Sequence, residues 1–306
     1  MKVVGLAGLV AFSFMWNSAA LADSIFVSNL GGGTIGEYTP SGTAVNASLV
    51  SGLTSPGSLA LSGSDLFVVN NGDSIGEYTT SGGSVNPSLI TGLASPHQIT
   101  VWGSNLLIAN GNTSSVAEYS ASGTLLNSSF ISGLPSYAHG IAISGSNIFV
   151  ALDGDGGNDG SGSIAEYTTS GALVNGSLIT GLNNPEEITI SGSNIFVANF
   201  YGSIGEYTTS GGTVNASLIS GLNLVTSVAV DGSNLYVDVA GDNRIARYDT
   251  SGNLLNASFI TGLNEPVSIA IASGASSTPE PNTLTLFALC CGALAIGWCK
   301  RRIARQ

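Results

Sequence analysis

His97, His139 and Glu186 are the residues of this chain whose types and places could do chemistry. Imidazole and carboxylate together make a ligand set for one divalent metal. The three occupy equivalent points of a repeating pattern, in register with Gly57, Thr226 and Val267. No second acid, tyrosine or arginine completes a catalytic set in that register. They therefore read either as a metal or catalytic site or as loop residues at a solvated channel mouth. A second oxygen-rich stretch covers residues 152–163 (LDGDGGNDGSGS). Asp153, Asp155 and Asp159 are spaced like the opening of a calcium loop, where oxygen ligands alternate around a bend that glycine permits. The twelfth position from Asp153 holds Ile164 where such a loop needs Glu, and an acidic, flexible hairpin insertion is the other reading.

Two further rows recur. Glu37, Glu77, Glu118, Glu166 and Glu206 each precede a tyrosine, with Arg247 in the sixth place. Spread around a ring they cannot converge on one small substrate, so the expectation is a solvated row with Arg247 as a local charge partner. Asn46, Asn127, Asn175, Asn215 and Asn256 each open an Asn-x-Ser triplet, while Pro87 spoils the same triplet after Asn86. Turn chemistry is preferred here over glycosylation. The sequence contains no Walker loop and no Cys/His finger.

The element that must position these residues is a unit read six times. Its marker tyrosines, Tyr38, Tyr78, Tyr119, Tyr167, Tyr207 and Tyr248, recur at intervals of 40 or 41 residues with one of 48. That period suits one four-stranded propeller blade. Within one unit, residues 66–70 (LFVVN), 74–79 (SIGEYT), 85–93 (VNPSLITGL) and 98–102 (QITVW) read as successive strands separated by Gly, Ser, Asn and Pro turns. The pattern opens at residues 24–29 (SIFVSN), without an innermost strand, and closes at 267–272 (VSIAIA), an innermost strand without a sheet. A ring satisfies both ends, because the last strand completes the first blade and removes two exposed edges. The fold expected is all-β: a six-bladed β-propeller of four-stranded antiparallel blades over residues 23–273.

Residues 235–255 (LYVDVAGDNRIARYDTSGNLL) carry a resemblance to the NHL family of six-bladed propellers, with Asp242-Asn243-Arg244-Ile245 in the place of that family's loop between its second and third strands. The likeness extends over the repeats in period and strand order. It implies the propeller architecture, and one fold hosts many activities.

The ends of the chain suggest an address. Residues 1–22 combine Lys2, an apolar stretch and Ala20-Leu21-Ala22, the pattern of a secretory signal peptide cut by signal peptidase. Residues 274–283 form a linker containing Pro279-Glu280-Pro281. An apolar run over 284–299 follows, read as a transmembrane helix, and a basic cytoplasmic tail over 300–306 carries Lys300, Arg301, Arg302 and Arg305 as a membrane stop. This tripartite end resembles the PEP-CTERM sorting signal of Gram-negative bacteria. The resemblance implies an exosortase as processing partner, transient anchoring in the inner membrane with the propeller periplasmic, and then delivery to the cell surface or outside. A binding or structural role with envelope protein or extracellular polysaccharide is the expectation, and a secreted metal-dependent lyase or lactonase-like hydrolase is the alternative.

Composition agrees with export. All three cysteines, Cys290, Cys291 and Cys299, lie in the tail, so the repeats have no thiol for a disulfide or a metal. Nineteen acidic residues fall between Asp23 and Glu280, where only Arg244 and Arg247 oppose them. Such a surface repels nucleic acid and anionic lipid.

Overall fold

The structure is a computed structural model that describes residues 23–70 and 72–272. The leader, the Pro-Glu-Pro linker, the apolar run and the basic tail lie outside the described residues. Among the described residues no helix is long and apolar enough to cross a membrane.

Six four-stranded antiparallel sheets form the ring. The first blade joins β1 (Ser24–Asn29), β2 (Thr34–Tyr38) and β3 (Ala44–Ser51). The second holds β4 (Pro56–Ser62), β5 (Asp65–Asn70), β6 (Ser74–Thr79) and β7 (Ser84–Thr91). The third holds β8 (Pro96–Trp102), β9 (Asn105–Asn110), β10 (Ser115–Ser120) and β11 (Leu125–Ile131). The fourth holds β12 (Ala138–Ser144), β13 (Asn147–Leu152), β14 (Gly162–Thr168) and β15 (Leu173–Leu182). The fifth holds β16 (Pro185–Ser191), β17 (Asn194–Asn199), β18 (Ser203–Thr208) and β19 (Thr213–Ile219). The sixth holds β20 (Val225–Asp231), β21 (Asn234–Val239), β22 (Arg244–Asp249) and β23 (Leu254–Ile260). The last strand, β24 (Pro266–Ala272), pairs with β1 from Ser24↔Ala272 to Asn29↔Pro266 and supplies the innermost strand of the first blade. The ring closure expected from the unmatched end strands is present.

Four innermost strands open on proline, at Pro56, Pro96, Pro185 and Pro266, one or two residues ahead of the expected starts. The first residue of a strand need not donate to the ladder, so proline is tolerated there. The second strand of each blade is buried on both faces, as β1 and β9 illustrate. Its neighbours in the sheet cover its edges and the flanking blades cover its faces, which is why LFVVN and NLLIAN are apolar runs rather than alternations.

Cores form between blades. Phe26, Ile35 and Val50 of the first blade pack with Leu59, Leu66 and Val68 of the second. Ile25, Val27 and Tyr38 pack on Tyr236, Ile245 and Phe259 of the sixth, so the closing interface is built like the others. The glycine two places before the marker tyrosine in the first, second and fifth blades has a reason. A Cβ on Gly36 would lie 2.7 Å from the Tyr38 ring, so the glycine lets the ring lie back along its own strand.

A belt of side chains links the innermost strands. The Ile99 N–H donates to Ser58 Oγ at 3.3 Å, Leu59 N–H to Ser268 Oγ at 3.2 Å and Ile269 N–H to Ser227 Oγ at 3.1 Å. In the third blade Gln98 Oε1 accepts from the Ile141 N–H. Each bond ties one blade to the next with a buried donor that would otherwise go unpaired. At Gly140 the blades approach too closely for a side chain, since a Cβ there would sit 2.9 Å from the Glu186 carbonyl oxygen.

Candidate functional site

The six starting positions do meet at one mouth of the axial channel. Gly57, His97, His139, Glu186, Thr226 and Val267 line one cavity of about 360 Å³. A second cavity of about 380 Å³ opens on the opposite side, among Leu61, Val101, Ile143 and Ile271. Gln98 and Glu187 border both. Gln98 Nε2 donates to Glu187 Oε1 at 3.1 Å, so this pair forms a floor and the first cavity is a cup.

Three consecutive blades furnish the charged arc of the cup. The rings of His97 and His139 stack with centroids 4.1 Å apart and planes 19° from parallel. His139 Nδ1 lies 2.9 Å from Glu186 Oε2, and its Nε2 lies 3.6 Å from Asp153 Oδ2. Both ring nitrogens thus face carboxylate oxygens, which accept, and the ring is satisfied on both sides only as an imidazolium. Burial works against that charge, but the Glu186 hydrogen bond and the Glu186 and Asp153 charges outweigh it and raise the His139 pKa above its usual value. His97 moves the other way. Burial and the neighbouring His139 charge push it down to about 4, partly offset by Glu186. The stack therefore pairs an imidazole whose pKa is lowered with one whose pKa is raised. Gly111 makes room for it, since a Cβ there would lie 2.6 Å from His97 Nε2.

His97, His139 and Glu186, the proposed metal set, are brought together. Stacked rings present their nitrogens in parallel planes rather than toward one point, and among the described residues no group of three or more His, Cys, Asp or Glu side chains is arranged to hold a metal. The aspartates of the proposed calcium loop part company. Asp153 turns inward, accepting from the Tyr137 N–H at 3.1 Å and facing His139. Asp155 Oδ1 accepts from the Gly157 N–H and the Ser161 hydroxyl, and Asp159 Oδ1 from the Ser161 N–H, each at 2.9 Å. These bonds fold the insertion on itself. Tyr201 of the fifth blade pins it by donating to the Gly156 carbonyl at 3.1 Å.

The glutamate row needs correction. Glu166 and Glu206 are only 9% and 8% exposed, and each accepts at 2.7 Å from the asparagine that opens the adjacent strand, Asn147 or Asn194. Arg247, expected to pair with a charge, lies instead over the Phe259 ring at 5.1 Å, and its Nε is buried without a hydrogen bond among the described residues. The Asn-x-Ser triplets do turn chemistry. In every blade the asparagine Oδ1 accepts the N–H two residues on, including Asn86, where Pro87 intervenes.

Two acidic residues beneath the cup escaped the sequence reading. Glu187 sits in the floor with Gln98 and Ser227 as partners, and enclosure by protein raises its pKa to about 8. Asp238 is fully buried behind it, accepts from Thr226 Oγ1 at 2.8 Å, leaves Oδ1 unpaired among the described residues, and is likewise raised to about 8 by burial. A lone Asp in the apolar run LYVDV was the available signal for the second.

No family model matches the chain, and no curated protein matches it. Among solved structures, a chain of a nidogen–laminin complex superposes with a TM-score of 0.69 at 14% identity, covering 82% of this chain and 99% of that one. A gluconolactonase from Xanthomonas campestris gives 0.59 at 14% identity, over 71% of this chain and 79% of that one. The computationally designed Ika8 protein gives 0.50 at 17%, over 81% and 75%. At these identities the likeness establishes the fold alone.

Proposed function

We propose that this chain is an exported, surface-directed binding propeller of a Gram-negative bacterium, which uses its axial cup to hold a small polar group of an envelope or extracellular matrix component. The single observation that carries the binding site is the dead-end cup, where His97, His139 and Glu186 of consecutive blades converge over a closed floor. The address rests on sequence: the 1–22 leader, Pro279-Glu280-Pro281, the 284–299 apolar run and the basic residues after it, processed in turn by signal peptidase and an exosortase-type enzyme. Only Arg244 and Arg247 among the described residues carry fixed positive charge, which argues against nucleic acid as partner.

Replacing Pro279, Glu280 and Pro281 together by alanine tests the address. The wild-type chain should be recovered outside the cell or on its surface without its tail, and the variant should remain full-length in the inner membrane. Equal distribution of the two would defeat the sorting proposal.

A metal-dependent hydrolase or lyase is the second reading, favoured by the closeness of His97, His139 and Glu186. It requires His139 to release its two carboxylates and the stack to open. Stoichiometric divalent metal in the purified chain, lost in the His97→Ala/His139→Ala double variant, would establish it over the binding role; metal-free protein that keeps its ligand would dismiss it.

A further inference from the structure

The wall of the cup changes character around the ring. Blades three to five present His97, His139 and Glu186, whereas blades one and two present Val267, Leu30 and Val69. Val69 shows because the position in front of it is Gly57, where a Cβ would lie in ordinary contact at 3.5 Å and the backbone would accept one. The cup therefore has an apolar arc facing a hydrogen-bonding arc, with Thr226 of blade six between them. Its two faces match a ligand that is apolar on one side and rich in hydroxyls along its edge.

Charge narrows the class. The carboxylates of Glu186 and Asp153 flank one imidazole, and the surrounding ring is strongly acidic with both of its arginines outside the cup lining. An anion entering this field is opposed at every step. Beyond the cup, Asp153 and Tyr137 line an adjoining surface cavity of about 370 Å³, and Tyr137 is 48% exposed. An exposed tyrosine offers a flat apolar face beside polar groups.

We propose that the cup receives the terminal pyranose of an uncharged saccharide, its C–H face against Val69 and Val267 and its hydroxyl edge toward Glu186 and His97, with the next unit lying over Tyr137. This rests on the reading of the cup as a binding site. The floor of Gln98 and Glu187 blocks threading, so a chain end is bound rather than a chain interior.

Calorimetric titration of the purified full chain with glucose, cellobiose, glucuronate and a long neutral glucan tests it. Cellobiose should bind more tightly than glucose, glucuronate at least tenfold more weakly than glucose, and the glucan only in proportion to its chain ends. Gly57→Leu, which fills the apolar arc without backbone strain, and Glu186→Gln should each weaken cellobiose about tenfold or more. Tyr137→Ala should lower cellobiose to the level of glucose and leave glucose unchanged. Circular dichroism of the variants separates lost binding from lost folding. Glucuronate binding as well as glucose, glucan binding along its length, cellobiose binding unaffected by Gly57→Leu in a folded variant, or no binding by any of these sugars would overturn the inference. Such failure leaves the address experiment untouched, so a surface propeller with a different ligand remains distinguishable from a wrong localisation.

Discussion

Glu187 shows how a side chain one residue away from an obvious candidate can matter more to the energetics than the candidate. Its ordinary value is 4.5, and in the floor of the cup it is raised to about 8, first by loss of solvent and further by Asp238 and Glu186 nearby. A folded pKa above the unfolded one means that the folded state holds the proton more tightly. The stabilising contribution is complete below about 4.5 and is lost as pH rises through about 8. Glu187→Gln keeps an acceptor for Gln98 and removes the charge, so it should flatten this dependence. Relative to wild type, the variant should gain about 2 to 4 kcal/mol between pH 5 and pH 9, read from denaturant midpoints at each pH. A constant difference across that range would show that Glu187 ionises freely in the folded ring. At this scale the sequence was half legible. His97, His139 and Glu186 stand out because they break a repeat, and a repeat is read along the chain. The grip of Asp153 on His139, and the burial of Glu166 and Glu206 against Asn147 and Asn194, depend on side chains meeting across strands, which spacing alone does not encode.

The hairpin between the third and fourth strands of each blade illustrates what the elements owe to single glycines. In Thr-Ser-Gly and its variants the glycine holds a positive φ, +83° at Gly123. A Cβ at Gly123 would also lie 2.6 Å from the Leu89 carbonyl oxygen of the preceding blade, and Gly82, Gly171, Gly211 and Gly252 make the same approach to Leu49, Phe130, Leu178 and Leu218. At the closing interface Gly42 meets Phe259. The turn is thus both a hairpin and a blade-to-blade contact. Gly123→Ala should cost on the order of 2 kcal/mol, from backbone strain plus displacement of that carbonyl, measured by chemical unfolding. A cost below a few tenths would mean that the outer strands slide freely. Strand order, turns and marker tyrosines were legible because hydrophobic runs, glycines and the period agree with one another. The outer strands were harder to bound, because their first halves are exposed on both sides: Val45 and Val174 lie at bulged positions where one residue more is fitted opposite the partner strand.

The whole molecule depends on a pairing between the first and last strands that are described. Blade one takes β24 from the far end of the chain, and the Ser268 and Ser227 bonds carry the belt across the seam. Deleting residues 266–272 should therefore destroy cooperative unfolding of the entire ring rather than loosen one blade, with a protease-sensitive product and a broadened thermal transition. An unchanged midpoint would mean that five complete blades suffice. The same seam has a consequence for orientation. Val267, at the start of β24, borders the cup, while Ile271, near its end, borders the opposite opening, so the polypeptide runs from one face of the disc to the other. Ser24 and Ala272 then sit side by side on the face away from the cup. The first and last strands described thus end beside each other, on the side of the ring opposite the cup. A load drawn through those two strand ends is borne first by the ladder between β1 and β24.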